Sequence, residues 1–369
     1  MFAFGFLFTL NLIASLMHGY LTWRIGSLLC FKAAERRRRL WLFSLMLWLL
    51  YLASICFGDD ASVGGLLNIL ALNWLGALFI GSTVMLLLDL VTGFGLWAKP
   101  YLNHGRTAGL TLSVLLVAVA LLQGMRAPVV VKYEVALPSL PAALDGTRLV
   151  VLSDLHLGSQ RGAAWLAARL DQIEKLKPDA VILLGDIFEG HGGVDGDLRP
   201  VFAQLKAPLG IFAITGNHEF HGDAVAAIAM SEAAGVVWLR NRCQQIAPGL
   251  LLAGVDDLSR LHRNGDDGDR ITPLLKSCNT KGARVLLSHS PLQVEQAASA
   301  DAGLMLSGHT HGGQIWPFSF LVEQYYPYLV GQYQVGEMTL IISRGTGLWG
   351  PRMRLWQPGE ILDVTLRKR

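Results

Sequence analysis

Four long apolar stretches fill the first 125 residues, at Phe4–Leu29, Leu40–Phe57, Leu70–Leu90 and Ala108–Gln123, and they are nearly charge-free all round. A helix needs about 20 apolar residues to cross a hydrocarbon core. A helix with no polar face does not belong on the surface of a soluble domain. These stretches therefore predict an N-terminal region of four transmembrane helices. Past Pro128 the pattern changes to short apolar runs, charged helical stretches and Gly-rich turns. The 369-residue chain is 52% hydrophobic and 16% charged, against roughly 25% charged in soluble domains. That average hides two different parts. The expected organisation is a transmembrane region over residues 1–127 and a soluble α/β domain over 128–369. The first stretch has no basic residue before it and no small-residue cleavage site, so it is expected to be retained as a helix.

Basic residues in the short loops set the expected orientation. Lys32 and Arg36–Arg39 lie between the first and second stretches, and Lys99 and Arg106 between the third and fourth. Only Asp59 and Asp60 stand between the second and third. The basic loops should face the cytoplasm, which puts everything after the fourth stretch outside. Arg126 and Lys132 weigh weakly the other way. The expected address is the cytoplasmic (inner) membrane, multi-pass, with the soluble domain extracytoplasmic and the lipid bilayer as a partner. Asp89, near the end of the third stretch, is expected at the cytoplasmic interface beside Lys99. A buried functional carboxylate is the alternative. No CxxC occurs among the four cysteines, which argues against a cysteine zinc site. Cys243 and Cys278 could pair if exported or stay free. The net charge of +3 and the lack of a basic stripe in the soluble half give no expectation of nucleic-acid binding.

Five apolar runs in the soluble half read as buried strands. Leu149–Leu152 ends at Asp154 and His156, and Ala180–Leu184 ends at Asp186. Ile211–Ile214 ends at Asn217 and His218, Arg284–Leu287 at His289, and Leu304–Leu306 at His309 and His311. In layered α/β folds, ligands bind beyond the carboxyl ends of strands. One Asp or Asn there starts a turn, but turn chemistry does not call for His at five positions. Alternate residues of an extended strand share a face, so Asp154 with His156, and His309 with His311, are each expected to aim at one ion. Carboxylate and imidazole donors without thiolate suit Mn, Fe or Zn.

These residues resemble the calcineurin-like metallophosphoesterase superfamily, whose pattern is D-x-H, G-D, G-N-H-[DE], a lone His and G-H-x-H. The matching residues are Asp154 and His156, Gly185 and Asp186, Gly216 to Glu219, His289, and Gly308 to His311. The flanking Ser307–Gln314 and Ser343–Gly347 look like the membrane-associated bacterial branch, and such domains with multi-span N-termini are also similar to transmembrane protein with metallophosphoesterase domain. The resemblance implies a four-layer α/β/β/α sandwich. It also implies that Asp154, His156 and His311 hold one divalent metal ion, that Asn217, His289 and His309 hold a second, and that Asp186 bridges them. His218 would be catalytic, facing the scissile phosphate rather than a metal.

The implied chemistry is hydrolysis of a phosphodiester or pyrophosphate bond by a metal-activated hydroxide. Membrane anchoring points to a lipid-linked phosphate as substrate. Arg344 could bind phosphate or make an internal salt bridge. His221 could touch substrate or simply lie at the surface, and His191 sits in the Gly-rich loop Glu189–Gly196, which could be a substrate loop or a plain turn. Asp256 and Asp257 are expected to make a turn. A nuclease of the same superfamily is the alternative enzyme. A non-catalytic membrane protein using the metal site for binding is the alternative outside catalysis.

Overall fold

The computed structural model describes residues 2–57, 64–190, 196–220, 224–263 and 265–369. They divide into two units, Met1–Met125 with Gly350–Gln357, and Arg126–Trp349 with Pro358–Arg369. His191, His221, Asp59 and Asp60 lie outside the described residues.

The first unit holds α1 (Phe2–Gly26), α2 (Ala34–Phe57), α3 (Gly64–Val91) and α4 (Leu102–Gly124). Among the described residues, two helices, Gly65–Val91 and Lys99–Gly124, are long and apolar enough to cross a membrane. Arg36–Arg39, expected in a loop, lie on the first turns of α2. The segment Gly350–Gln357, expected in the soluble domain, clusters with the helices. There Arg352 N donates to Asn73 Oδ1 at 2.8 Å, and Arg354 N to Ala120 O at 2.9 Å.

Polarity in this unit is inverted. Phe8, Leu16, Leu49, Leu66, Leu90 and Leu115 are exposed, whereas His18, Thr22, Arg24, Ser44 and Asp89 are buried. The Thr22 and Ser44 hydroxyls are 2.6 Å apart, and Ser44 Oγ lies 2.6 Å from His18 Nε2. Asp89 is not beside Lys99 as expected. It is buried and pairs with Arg24 of α1 at 2.5 Å, and Tyr20 donates to the same oxygen at 2.5 Å. The guanidinium also stacks on Trp23, 3.8 Å from the ring centroid. Arg24 lies on another helix close to Asp89 in space, a relation invisible in sequence.

The second unit contains two six-stranded sheets. Its strands are β1 (Val129–Leu137), β2 (Arg148–Leu152), β3 (Ala180–Leu184), β4 (Gly210–Ile214), β5 (Val236–Trp238) and β6 (Arg242–Ala247), followed by β7 (Leu250–Gly254), β8 (Ala283–Leu287), β9 (Leu304–Ser307), β10 (Gly331–Val335), β11 (Met338–Ile342) and β12 (Glu360–Lys368). Their order is β1-β12-β2-β3-β4-β5 and β10-β11-β9-β8-β7-β6. β2 to β5 run parallel, as do β7, β8, β9 and β11. β12 meets β2 antiparallel, and β6 and β10 are antiparallel edges. Both sheets are therefore mixed.

The helices are α5 (Ala163–Leu176), α6 (Arg199–Phe202), α7 (Ala224–Ala233), α8 (Leu258–Arg263), α9 (Ile271–Ser277), α10 (Val294–Ser299) and α11 (Ser319–Val322). Strand alternation explains the layering. Leu149, Val151, Ile182 and Phe212 of the first sheet pack against Leu250, Leu252, Val285 and Leu304 of the second. The intervening Val150, Leu152, Val181 and Leu183 pack with Leu166, Ile173 and Phe202 of α5 and α6. Leu251, Leu286 and Met305 do the same with Leu258, Leu274 and Ala297 of α8, α9 and α10. Strands covered on both faces must be apolar throughout, which is why the runs are continuous. The result is an α/β sandwich of four layers. Cys243 and Cys278 form a disulfide that ties β6 to the end of α9.

Removing one partner of a buried ion pair typically costs about 3–5 kcal/mol, whereas replacing both by apolar groups costs far less. Asp89→Leu is expected to lower the unfolding midpoint of the full chain in detergent, and Arg24→Met with Asp89→Leu to recover most of the loss. An Asp89→Leu protein as stable as the original would count against a structural role for the pair.

Candidate metal centre

The loops after β2, β3, β4, β8 and β9 converge on one place. Asp154 Oδ1 lies 3.3 Å from His311 Nε2, and His311 Nε2 lies 3.3 Å from His156 Nε2. Across the cluster, Asp186 Oδ2 lies 3.2 Å from His289 Nε2, and His289 Nε2 lies 3.2 Å from His309 Nδ1. Asp154, His156 and His311 form one group that could hold a metal ion, and Asp186, His289 and His309 a second. Asp186 Oδ2 is also 3.8 Å from His156 Nε2, so one carboxylate oxygen reaches toward both groups.

The convergence is not achieved by strand alternation. β2 stops at Leu152 and β9 at Ser307. Beyond them Asp154, His156, Asp186, His309 and His311 all adopt positive φ, between 48° and 68°. This left-handed conformation is uncommon for residues with a Cβ and concentrates at functional sites. Repeated left-handed residues, not an extended ribbon, fold the side chains inward. They also aim backbone donors at the carboxylates. His309 N donates to Asp154 at 3.2 Å, and His218 N donates to Asp186 Oδ1 at 2.8 Å. Two glycines are required by this crowding. A Cβ on Gly216 would stand 2.2 Å from Asp186 Oδ1, and one on Gly308 1.9 Å from Ser153 Oγ.

Outer hydrogen bonds fix four of the rings. His289 Nδ1 donates to Leu184 O at 2.8 Å, which leaves Nε2 for a cation. His156 Nδ1 meets Glu189 Oε2 at 2.8 Å, and His218 Nδ1 donates to the Glu189 carbonyl at 2.9 Å. His309 turns Nδ1 inward and holds Tyr326 Oη through Nε2 at 2.9 Å. Glu219 accepts from Asp186 N at 2.9 Å, Ile187 N at 2.8 Å, Phe188 N at 3.0 Å and Gly216 N at 2.7 Å. It thereby clamps the loops after β3 and β4 together.

Glu189 and Tyr326 were not singled out as site residues in sequence. His156, Glu189 and His218 form a third group with metal-ligand geometry. Glu189 stands only three residues after Asp186, and that spacing was the one available signal. Tyr326 follows no strand end and sits in a long connection after α11, so nothing local marks it.

The cluster attracts positive charge. Burial alone would raise Asp154, yet the imidazoles of His311 and His289 hold it below the usual carboxylate range. Burial would likewise lower His289, but Asp186 and Asp154 hold it well above the ordinary value. Burial and the neighbouring His289 charge push His309 down to about 4, leaving it neutral and able to donate a lone pair. Burial and the Asp186 charge push Glu219 up to about 7. Asn217 Oδ1 is buried with no hydrogen-bond partner among the described residues. An unsatisfied buried acceptor costs about 1–3 kcal/mol, and a cation beside it would remove that cost. The donor set of carboxylate, imidazole and amide oxygen therefore fits hard-to-borderline divalent metals.

Arg344 is engaged internally. Its Nε donates to Glu360 Oε2 at 2.7 Å, with a second guanidinium contact at 2.6 Å. The structure places it in the ion pair, the alternative to phosphate binding left open in sequence. Asp256 and Asp257 do more than turn the chain. Asp256 takes Arg240 and Thr215, and Asp257 caps α8 through Arg260 N at 3.1 Å.

A mixed two-sheet sandwich with such a cluster at its strand ends is the architecture of metal-dependent phosphoesterases. Residues 147–313 match the family described as calcineurin-like phosphoesterase. The chain is 31% identical over 252 residues to an uncharacterized metallophosphoesterase of Aquifex aeolicus, covering 64% of this chain and 90% of that protein. It is 32% identical over 264 residues to an uncharacterized metallophosphoesterase of Campylobacter jejuni, covering 70% and 68%. It is also 32% identical over 270 residues to transmembrane protein with metallophosphoesterase domain of Danio rerio, covering 70% of this chain and 62% of that one. The chain thus spans about three fifths of the first relatives' length, 62% here and 61% for the Bos taurus protein of the same description. The chain belongs to the calcineurin-like metallophosphoesterase family.

Groups that orient a metal-binding histidine typically contribute 10–100-fold in metal affinity. Tyr326→Phe is therefore expected to weaken cation binding at the Asp186–His289–His309 group by roughly that factor. Mn²⁺ titration with element analysis checks it, and unchanged affinity would show that Tyr326 merely packs there.

Proposed function

We propose that this protein is a membrane-anchored phosphoesterase with a two-metal centre, acting on a phosphodiester or pyrophosphate bond outside the cytoplasmic membrane. The carrying observation is Asp186, whose Oδ2 lies 3.2 Å from His289 Nε2 and 3.8 Å from His156 Nε2, one nitrogen from each group. Asp154, His156 and His311 would hold one divalent ion, Mn, Fe or Zn. Asn217, His289 and His309 would hold the other, with Asp186 between them. Two such ions supply Lewis acidity toward the phosphoryl oxygens and lower the pKa of bound water.

The remaining steps fall to the chain. His218 sits at the edge of the cluster, its ring perpendicular to His156 at 4.7 Å. Its Nδ1 is committed to the Glu189 carbonyl, so proton transfer to a leaving oxygen falls to Nε2. Burial opposes its protonation, but the charges of Asp186 and Glu189 outweigh burial and raise its pKa above the ordinary value. A protonated, positively charged ring there both orients an anionic phosphate and supplies the departing group with a proton. Glu189 keeps that ring in one tautomer. Glu219, through its four backbone amides, holds the loops after β3 and β4 together.

For location, we read all four N-terminal helices as spans, with α2's arginines and Lys99 at the cytoplasmic face. The Cys243–Cys278 disulfide supports an oxidising compartment for the soluble unit. A substrate presented by the same bilayer, a lipid-linked phosphate, fits an enzyme tethered there.

Four outcomes follow. Full-length protein reconstituted with Mn, Zn, Fe or Ni should hydrolyse chromogenic phosphate esters, and absence of hydrolysis with every metal would overturn the enzyme reading. His218→Ala should retain metal and lose roughly 10²–10⁴-fold in turnover. A raised imidazole pKa keeps its proton to higher pH and loses it as pH rises through that value. Activity should therefore fall on the alkaline side, and Glu189→Gln, which removes one raising charge, should move that limb to lower pH. A limb that stays put would exclude His218 as the proton donor. For topology, a periplasmic-type reporter fused after Arg369 should be active; activity only from a cytoplasmic-type reporter refutes the exported assignment.

A further inference from the structure

Among the described residues, exposure of large apolar side chains in the second unit is concentrated in one stretch. Val129 and Val225 stand apart from it, and the others are Trp316, Phe318, Phe320, Leu321, Tyr325 and Trp349. Leu321 is 57% exposed and Tyr325 81%. All but Trp349 lie on α11 and its flanks, where Trp316 and Phe320 meet edge to face at 6.5 Å. Trp349 is joined to that segment by two hydrogen bonds. Gln314 Nε2 donates to its carbonyl at 2.8 Å, and its amide donates to Gln314 Oε1 at 3.0 Å. From 315 to 330 the one charged residue is Glu323. A contiguous exposed apolar patch marks a surface that meets another phase or partner.

The segment is tied to the metal centre. Tyr326, next to Tyr325, donates to His309 Nε2 at 2.9 Å. Thr310 Oγ1, between His309 and His311, donates to Leu329 O at 2.6 Å. A Cβ on Gly313 would stand 2.4 Å from Ser319 Cα, so α11 packs directly on the turn that carries His311. The patch is also continuous with the chain that returns to the helices. Trp349 is followed at once by Gly350–Gln357, which clusters with the first unit. Within that unit Arg352 N donates to Asn73 Oδ1 of α3, and Arg354 N to Ala120 O of α4. A Cβ on Gly124, the last residue of α4, would meet the Arg352 carbonyl at 2.4 Å. The returning chain therefore lies at the end of α4 that leads on to β1.

We propose that Trp316, Phe318, Phe320, Leu321 and Tyr325 form a docking patch for the lipid interface of the bilayer that holds the helices. The inference rests on the membrane-anchored reading and deepens it, by naming the surface through which the second unit meets lipid. Composition selects lipid over a protein partner. Trp and Tyr rings suit the boundary between headgroups and acyl chains. With no Lys or Arg from 315 to 330, the patch is built for that apolar boundary rather than for a layer of anionic headgroups. The covalent chain supplies the reach. Arg352, bonded to α3, follows Trp349 by three residues, and a chain spans at most about 3.3–3.6 Å per residue. A seated patch brings Tyr326 and the His309 turn to the headgroup layer, where the phosphate of a lipid-linked substrate stands.

The test places the full chain in phosphatidylcholine vesicles, with Cys30→Ala to remove the free thiol, and labels Leu321→Cys with a nitrobenzoxadiazole fluorophore. Val225→Cys, at a residue 80% exposed and outside the patch, is the control position. Phosphatidylcholine carrying a nitroxide near its headgroup should quench the label at position 321 and spare the one at 225. Adding Phe320→Glu with Tyr325→Glu should abolish that quenching, because ionised carboxylates resist leaving water. Phe320→Leu, which keeps the surface apolar, should retain it and guards against a folding defect. A label at 321 quenched no more than the one at 225 overturns the patch. So does a label at 321 shielded from aqueous iodide yet untouched by the lipid nitroxide, which would show a protein or a second copy covering the surface. Protein that fails to float with the vesicles sinks the membrane-anchored reading together with this inference, whereas protein that floats with 321 unquenched sinks the inference alone. The readouts do not use hydrolysis, so the phosphoesterase reading stands or falls separately.

Discussion

Two carboxylates, Asp154 and Asp186, are buried at the strand ends where two sheets meet, 0% and 3% exposed. An isolated buried charge is costly, by several kcal/mol even after relaxation. Much of the surrounding architecture compensates for these two. Ser153 Oγ and His309 N donate to Asp154, and His218 N donates to Asp186. Those amides can point inward only because the chain takes left-handed turns at Asp154, His156, Asp186, His309 and His311. The turns in turn need neighbours without a Cβ at Gly216 and Gly308. His289, His311 and His156 then complete the charge balance, and the same negative field would draw divalent cations.

Other buried carboxylates act as fasteners rather than ligands. Glu219 collects four amides from two loops. Asp257 ties α8 to the loop after β8. Glu360 holds Arg344 against the end of β12. Each satisfies backbone donors that a tight loop would otherwise leave unpaired. The loops can therefore be both irregular and rigid, as a preorganised site requires. The helical unit meets the opposite problem, with apolar side chains outward and Arg24, Asp89, His18 and Ser44 within. There the charges are matched pairwise between helices instead of around an ion.

Sequence by itself was enough for the α/β character of the second part and for picking out the polar residues at five strand ends. Each of these rests on local periodicity. Continuous apolar runs report burial on both faces, and an abrupt Asp or His after such a run reports a change of environment. The convergence of Asp154, His156, Asp186, His289, His309 and His311 follows from the same pattern, although the extended-strand geometry assumed for it was wrong. The residues arrive by left-handed turns, and φ is not written in residue type except at glycine.

What sequence could not supply was pairing across distance. Asp89 looked to Lys99, ten residues on, and found Arg24, 65 residues back. Arg344 was open between substrate and an internal partner until Glu360 was seen beside it. Cys243 and Cys278 could have stayed free and are found paired. Tyr326 and Glu189 carry no local signature, because what each does depends on a neighbour delivered by another element. Periodicity encodes which face of a segment is buried, but not which face of another segment it is buried against. That second fact is decided only when the layers pack.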